Sequence, residues 1–157
     1  MPWTTPKTWN VNELLTAAAL NTHLRDNLNA LKEPPTGIAA VPSTYTTTST
    51  SFVTIDAANL AATLTTSGGN VLIGFTGAWA IGAVGYLAYL TITMDNVNVA
   101  GVNGVALTSV GGAVPLALNY LLTGVAAGAH TFRLQWRVTG NTATLYSLGQ
   151  LWAREVS

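Results

Sequence analysis

The residues able to do chemistry in this chain are few and scattered. The carboxylates are Glu13, Asp26, Glu33, Asp56, Asp95 and Glu155, and the histidines are His23 and His130. Paired carboxylates could serve as general acid and base on a glycosidic bond. Only Asp56 and Asp95 lie in the strand-rich part ahead of the last strand, and both fall at strand ends, where Asp is a common turn residue. His130 shares strand parity with Phe132 and Trp136, the pattern of a core-edge or subunit-interface histidine. No second ligand follows it at a spacing of two, so a metal site is not expected. His23 falls beside Arg25 and Asp26 on what the spacing predicts to be the solvated side of a helix. No G-x-S-x-G elbow, phosphate loop, GxGxxG or EF-hand loop occurs. The fragment Asp95-Asn96-Val97-Asn98 is read as a turn. Arg133 and Arg137 share the polar side of one strand, where they solvate an exposed sheet face or clamp a carboxylate or glycan. We therefore expect no catalytic residues, no metal and no cofactor.

Composition narrows the classes further. Net charge is zero and only 8% of the 157 residues are charged, against about 25% in an ordinary domain. Nucleic acid demands a basic stripe, and this chain has none. There is no polybasic cluster for anionic lipid. The absence of cysteine excludes a disulfide framework and thiolate metal sites. No Asn lies in an N-x-Ser/Thr sequon. The N-terminal MPWTTPKTWN lacks the basic-then-apolar pattern of a signal peptide. The uncharged window Val71 to Ile92 is long enough to span a bilayer. However, Gly74, Gly77, Gly82 and Gly85 interrupt it and no basic flank orients it, so no membrane span is expected. A neutral chain that is 49% hydrophobic is expected to hide much of its surface between subunits.

Two kinds of element must carry whatever function remains. The first is a helix, TAAALNTHLRDNLNALK, from Thr16 to Lys32, with Thr16 as N-cap and Pro34 and Pro35 as its stop. Its apolar positions fit two registers. One runs Leu14, Ala17, Asn21, Leu24, Leu28 and Leu31; the other runs Ala17, Leu20, Leu24, Asn27 and Leu31. Each places an Asn in the seam, the residue that fixes register and oligomer number. A helix this short is marginal alone, so it either folds back on its own domain, bundles with copies of itself or docks on another protein. Ahead of it lies an extended arm holding Trp3 and Trp9, which anchor in a partner's pocket or fold back over the helix. We take Trp3, Trp9, Leu20, Leu24, Leu28 and Leu31 as the oligomerisation and attachment residues.

The second kind is the strand. After a linker at residues 33–43, about eight short strands alternate with turn signals. The clearest are Asn70 to Trp79, Pro115 to Thr123 and the strand opened by Gly128, with Phe132, Leu134, Trp136 and Val138 on one face. A Thr/Ser-rich run from Tyr45 to Ser51 is continued by Phe52 to Asp56, the segment Val99 to Gly112 is glycine-rich and weakly patterned, and the last two strands run from Thr142 to Leu148 and from Gln150 to Val156. The pattern predicts a mainly β chain: a short N-terminal helix (arm and helix, 1–36), then an antiparallel β-sandwich of jelly-roll type (37–157).

Two passages resemble known families. The stretch Val11 to Lys32 resembles the leader helix of many tailed-phage virion proteins, on Leu15-Thr16-Ala17, Leu20-Asn21 and Arg25-Asp26-Asn27-Leu28. The segments GGNVLIGFTGAW, AGAHTFRLQWRV and GQLWAREVS are similar to C-terminal β domains of phage tail fibres and related appendages. Those domains resemble trimeric jelly rolls of the tumour-necrosis-factor and C1q class. The resemblance implies a non-enzymatic homotrimer on the surface of a bacteriophage virion, attached to other virion proteins through residues 1–32 and presenting its sandwich to a host-surface glycan. The long fibrous shaft of a tail fibre is absent between helix and sandwich. A head decoration or cement protein is the second expectation, and a glycan-cleaving virion enzyme the third.

Overall fold

The computed structural model describes residues 4–100, 104–108 and 112–156. Its first regular element is helical throughout but not uniformly α. Helix α1 (Ala17–Leu20) runs into a π-helical stretch (Asn21–Asp26) and then α2 (Asn27–Lys32). Thr16 caps the start as expected, its hydroxyl accepting the Ala19 N–H at 3.2 Å. The wide turn was not expected, because the residue spacing alone gives no sign of it.

Eleven strands follow among the described residues: β1 (Thr36–Ala40), β2 (Tyr45–Thr47), β3 (Val53–Thr54), β4 (Ala61–Thr66), β5 (Gly69–Ile81), β6 (Leu87–Met94), β7 (Val97–Asn98), β8 (Val105–Thr108), β9 (Val114–Val125), β10 (Gly128–Val138) and β11 (Ala143–Val156). They form two sheets. One has the order β1-β11-β5-β9, with β2 also on β11; the other has the order β3-β10-β6-β7, with β4 on β10 and β8 on β6. All pairings are antiparallel. The chain crosses repeatedly between the sheets, at β4-β5-β6 and again at β8-β9-β10-β11, the arrangement of a jelly-roll sandwich.

Period-two alternation explains why these segments are strands. Phe132, Leu134, Trp136 and Val138 of β10 are buried, as are Val71, Ile73, Phe75 and Trp79 of β5. These two inner faces meet Leu90, Ile92, Leu145 and Leu151 to form one core. Gly77 occupies an inward position of β5 because the Phe75 ring covers it; a Cβ there would stand 2.6 Å from that ring. The uncharged window Val71 to Ile92 is thus β5 and β6, in separate sheets. Among the described residues no helix is long and apolar enough to cross a membrane.

Three details differ from the sequence reading. The segment 33–43, expected as a linker, contains β1, which pairs with β11 from Thr36↔Arg154 to Ala40↔Gln150. The run expected as one strand from Tyr45 through Asp56 is split into β2 and β3, on different sheets. The two strands expected at the C-terminus are one, β11, with an irregularity between Leu145 and Gly149.

Candidate functional site

The residues with chemical potential are held in separate local structures. Asp56 accepts hydrogen bonds from the Ala58 and Asn59 N–H groups, both at 2.9 Å, from the Asn59 side chain at 3.0 Å and from the Tyr45 hydroxyl at 2.7 Å. These bonds, the Asn59 N–H first among them, hold its carboxyl far below the usual carboxylate range. Asp95 accepts the Thr131 N–H at 2.9 Å and pairs with His130 at 2.7 Å, which also lowers its pKa. A general acid needs a raised pKa, and both carboxylates are shifted the other way. Each anchors a turn, as its position in the sequence suggested. Among the described residues no cluster of three or more His, Asp or Glu side chains is placed to hold a metal.

His130 has an acceptor at each ring nitrogen: Asp95 Oδ2 at Nδ1 and the Ala126 carbonyl at Nε2, at 3.0 Å. Both nitrogens donate only in the imidazolium, so the Asp95 bond and then the Ala126 bond raise its pKa. A raised folded-state pKa stabilises fully below the unfolded value of about 6.5 and is lost as pH climbs through the folded value. The depressed Asp95 works at the other end, contributing above about 3.9 and failing as pH falls through its folded value. Thermal melts should therefore show the protein losing stability between mildly acidic and mildly alkaline pH, with a flatter profile for His130→Gln. Identical profiles for the two proteins would show that the pair carries no such coupling.

The two arginines of β10 part company. Arg133 donates to the Ala57 carbonyl and to Asn96 Oδ1, each at 3.2 Å. Arg137 lies over the Tyr89 ring at 4.0 Å and the Phe52 ring at 5.2 Å.

The N-terminal arm runs back along the helix. The Asn27 side-chain amide pairs with the Thr4 backbone in both directions, accepting its N–H at 2.9 Å and donating to its carbonyl at 2.8 Å. Trp9 meets His23 edge-to-face at 6.1 Å, with Lys7 4.9 Å over its ring. Lys7 also pairs with Glu13. Of the two expectations for Trp9, the structure shows the fold-back over the helix. His23 is correspondingly half-buried under the arm rather than solvated, and its Nδ1 is enclosed without a hydrogen-bond partner. Trp3 lies outside the described residues.

With Asn27 and Ala30 buried, the leucines face away from the protein. Leu14 is 81% exposed, Leu24 51%, Leu28 64% and Leu31 57%. The register through Leu14, Leu24, Leu28 and Leu31 is the one presented. The alternative register loses Asn27 to the arm, and Leu20 stands at its edge, 37% exposed. The helix meets the sandwich at its C-terminal end, where Ala30, Leu31 and Pro34 approach Arg154, Glu155 and Val156.

From there the surface passes over Arg154 onto the outer face of the β1-β11-β5-β9 sheet. The only charged residues on these four strands are Arg154 and Glu155. Glu155 is turned inward, where its carboxylate accepts the Ser67 N–H and hydroxyl. The outer face mixes apolar Ile38, Ala78, Ala117 and Leu121 with neutral polar Thr36, Thr76, Asn119 and Gln150. Trp152 lies flat on it, its indole occupying the space a Cβ on Gly74 would need. Nothing in the sequence marked this face. It follows from parity once β1 and the continuity of β11 are known.

This architecture defines the chain as a jelly-roll β-sandwich preceded by an arm and a helix. It is similar to a chain in the structure of infectious bursal disease virus, Gx strain, with a TM-score of 0.53 and 11% identity over 77% of this chain and 32% of that one. It is also similar to Eiger TNF from S. frugiperda, with a TM-score of 0.47 and 8% identity over 80% of this chain and 94% of that one. The chain spans about a third of the length of the viral chain it matches. No protein-family model and no curated protein matches it.

Proposed function

We propose that the chain is a non-enzymatic structural protein of a bacteriophage virion. In this reading it is a homotrimeric appendage of tail-fibre or tail-tip type on the particle surface. The arm and helix fasten it to other virion proteins and align the copies, and the sandwich is presented to the host surface. The observation that carries the reading is the leucine stripe: Leu24, Leu28 and Leu31 are each more than half exposed. A stripe of that kind persists in water only when another surface covers it. The phage-like leader pattern of Val11 to Lys32 and the jelly-roll fold support the choice of a virion. The outer sheet face, whose one charge among the described residues of β1, β5, β9 and β11 is Arg154, favours a second reading, a head decoration or cement protein whose contacts are all with virion proteins.

Removal of residues 1–32 is expected to leave a folded sandwich that no longer joins particles. Labelled antibody on intact virions then separates tail from head. Attachment that survives the truncation would refute the anchoring role, and a protein that scatters light as a monomer would refute the trimer.

A further inference from the structure

Three arginines and three acids lie on the β-sandwich strands and their connecting loops, and they do not pair with each other. Asp56 and Glu155 are satisfied by neutral donors and Asp95 by His130 together with a backbone N–H. Among the described residues Arg133, Arg137 and Arg154 take part in no ion pair. Arg137 differs from Arg133 in a further way: no hydrogen bond to the rest of the chain uses its guanidinium, among the described residues. It is nonetheless held in place. Its cross-strand partner is Tyr89, and Phe52 precedes Val53, the partner of Trp136, so an aromatic ring flanks it on each side.

A guanidinium over a ring spends its π face and keeps its in-plane N–H fork free. Such a fork fits a carboxylate. Two residues along the same face, Gln135 reaches Thr54 Oγ1 only through a long 3.4 Å bond from Nε2, and no hydrogen bond to its amide carbonyl occurs among the described residues. One fixed cation, two half-exposed rings and neutral donors and acceptors therefore share a single patch.

We propose that this patch, centred on Arg137 with Phe52, Tyr89 and Gln135, binds a carboxylate-bearing saccharide. The inference rests on the host-surface reading above and gives it a ligand class. The sugar's carboxylate meets Arg137, and its hydroxyls meet Gln135 and Thr54. A polyanion is a poorer fit. The next cation on the face, Arg133, lies four residues away, roughly 13 Å along the strand, and already donates to Ala57 and Asn96. A nucleic acid or an acidic peptide needs a row of cations. A single weak site per subunit becomes useful when several copies are displayed together.

The test is titration of the full chain, followed by ligand-observed NMR, with trigalacturonate and 3′-sialyllactose. The trigalacturonate methyl ester, lactose and triglutamate serve as comparison ligands. The expected result is binding of at least one acidic sugar, roughly tenfold weakened by Arg137→Lys, which keeps the charge but not the planar fork. Gln135→Ala should weaken it as well. Both variants should keep the melting temperature and subunit number of the parent. The proposal is overturned if neither acidic sugar binds up to millimolar concentration, if the neutral sugars or triglutamate bind as well, or if Arg137→Lys binds unchanged. A trimer that joins particles and binds no acidic sugar sinks this inference alone, whereas a chain that never assembles sinks the reading beneath it.

Discussion

In the proposed trimer, replacing Leu24 and Leu28 together with glutamate should give monomers without unfolding the sandwich. Each fully buried leucine contributes about 1.5–3 kcal/mol. With Leu24 51% and Leu28 64% exposed before association, two from each of three copies amount to roughly 5–10 kcal/mol, a large share of the free energy of a nanomolar complex, about 12 kcal/mol. Six carboxylates in one seam would oppose association further. Neither side chain supports the β-sheets: both are more than half exposed, and the helix meets the sandwich at Ala30 and Leu31. Sedimentation equilibrium reads the mass and far-ultraviolet circular dichroism reads the fold. A double variant that remains trimeric would place the seam elsewhere, with the outer face of the β1-β11-β5-β9 sheet as the next candidate.

Gly37→Val should produce a large stability loss from a single small side chain. A Cβ at this position points at the backbone of Thr63, standing 2.7 Å from its carbonyl carbon and 3.0 Å from its nitrogen. Backbone cannot rotate aside as a side chain does. Either β1 leaves β11 or β4 leaves β10, and overpacking of this kind costs about 3 kcal/mol. In a chain of this size that is roughly 6–12 °C in melting temperature. The same change at Gly85, which has nothing within 4 Å but a φ of +91°, isolates the cost of backbone conformation from that of collision. If Gly37→Val melts with the parent, β1 is not clamped between the two sheets.

The fold was legible wherever period-two alternation ran without interruption. From Phe132 to Val138 on β10, and from Val71 to Trp79 on β5 except at Gly77, every second residue is large and apolar, and the buried faces are those the spacing indicates. Strand β1 was hidden because Pro34, Pro35, Gly37 and Pro42 punctuate it, and because its inward residues, Gly37 and Ala39, carry almost no hydrophobic signal. Its burial comes from backbone lying close on β4. Strand β8 was hidden in a glycine-rich stretch. The unity of β11 was hidden by Gly149, whose absent side chain lets the strand pass over the Thr76 carbonyl.

The exposed leucine stripe was legible in part. Leucine spacing picked out the stripe, but which of two registers faced outward depended on Asn27 bonding to Thr4 across 23 residues of sequence. The fold-back of Trp9 needed the same arm contact. The difference between Arg133 and Arg137 lies entirely in neighbours from other strands, Phe52 and Tyr89 for one and Ala57 and Asn96 for the other. Spacing along β10 makes the two equivalent.

The wide π-helical stretch at Asn21–Asp26 has a mechanical corollary. From Ala17 to Lys32 the rod measures at most roughly 24 Å, and its groove is out of phase above and below the middle. A straight supercoil cannot propagate through such a slip. In the proposed assembly the leucines above and below the slip would therefore meet different neighbours, which leaves one end of the rod free to seat on something other than its sister copies.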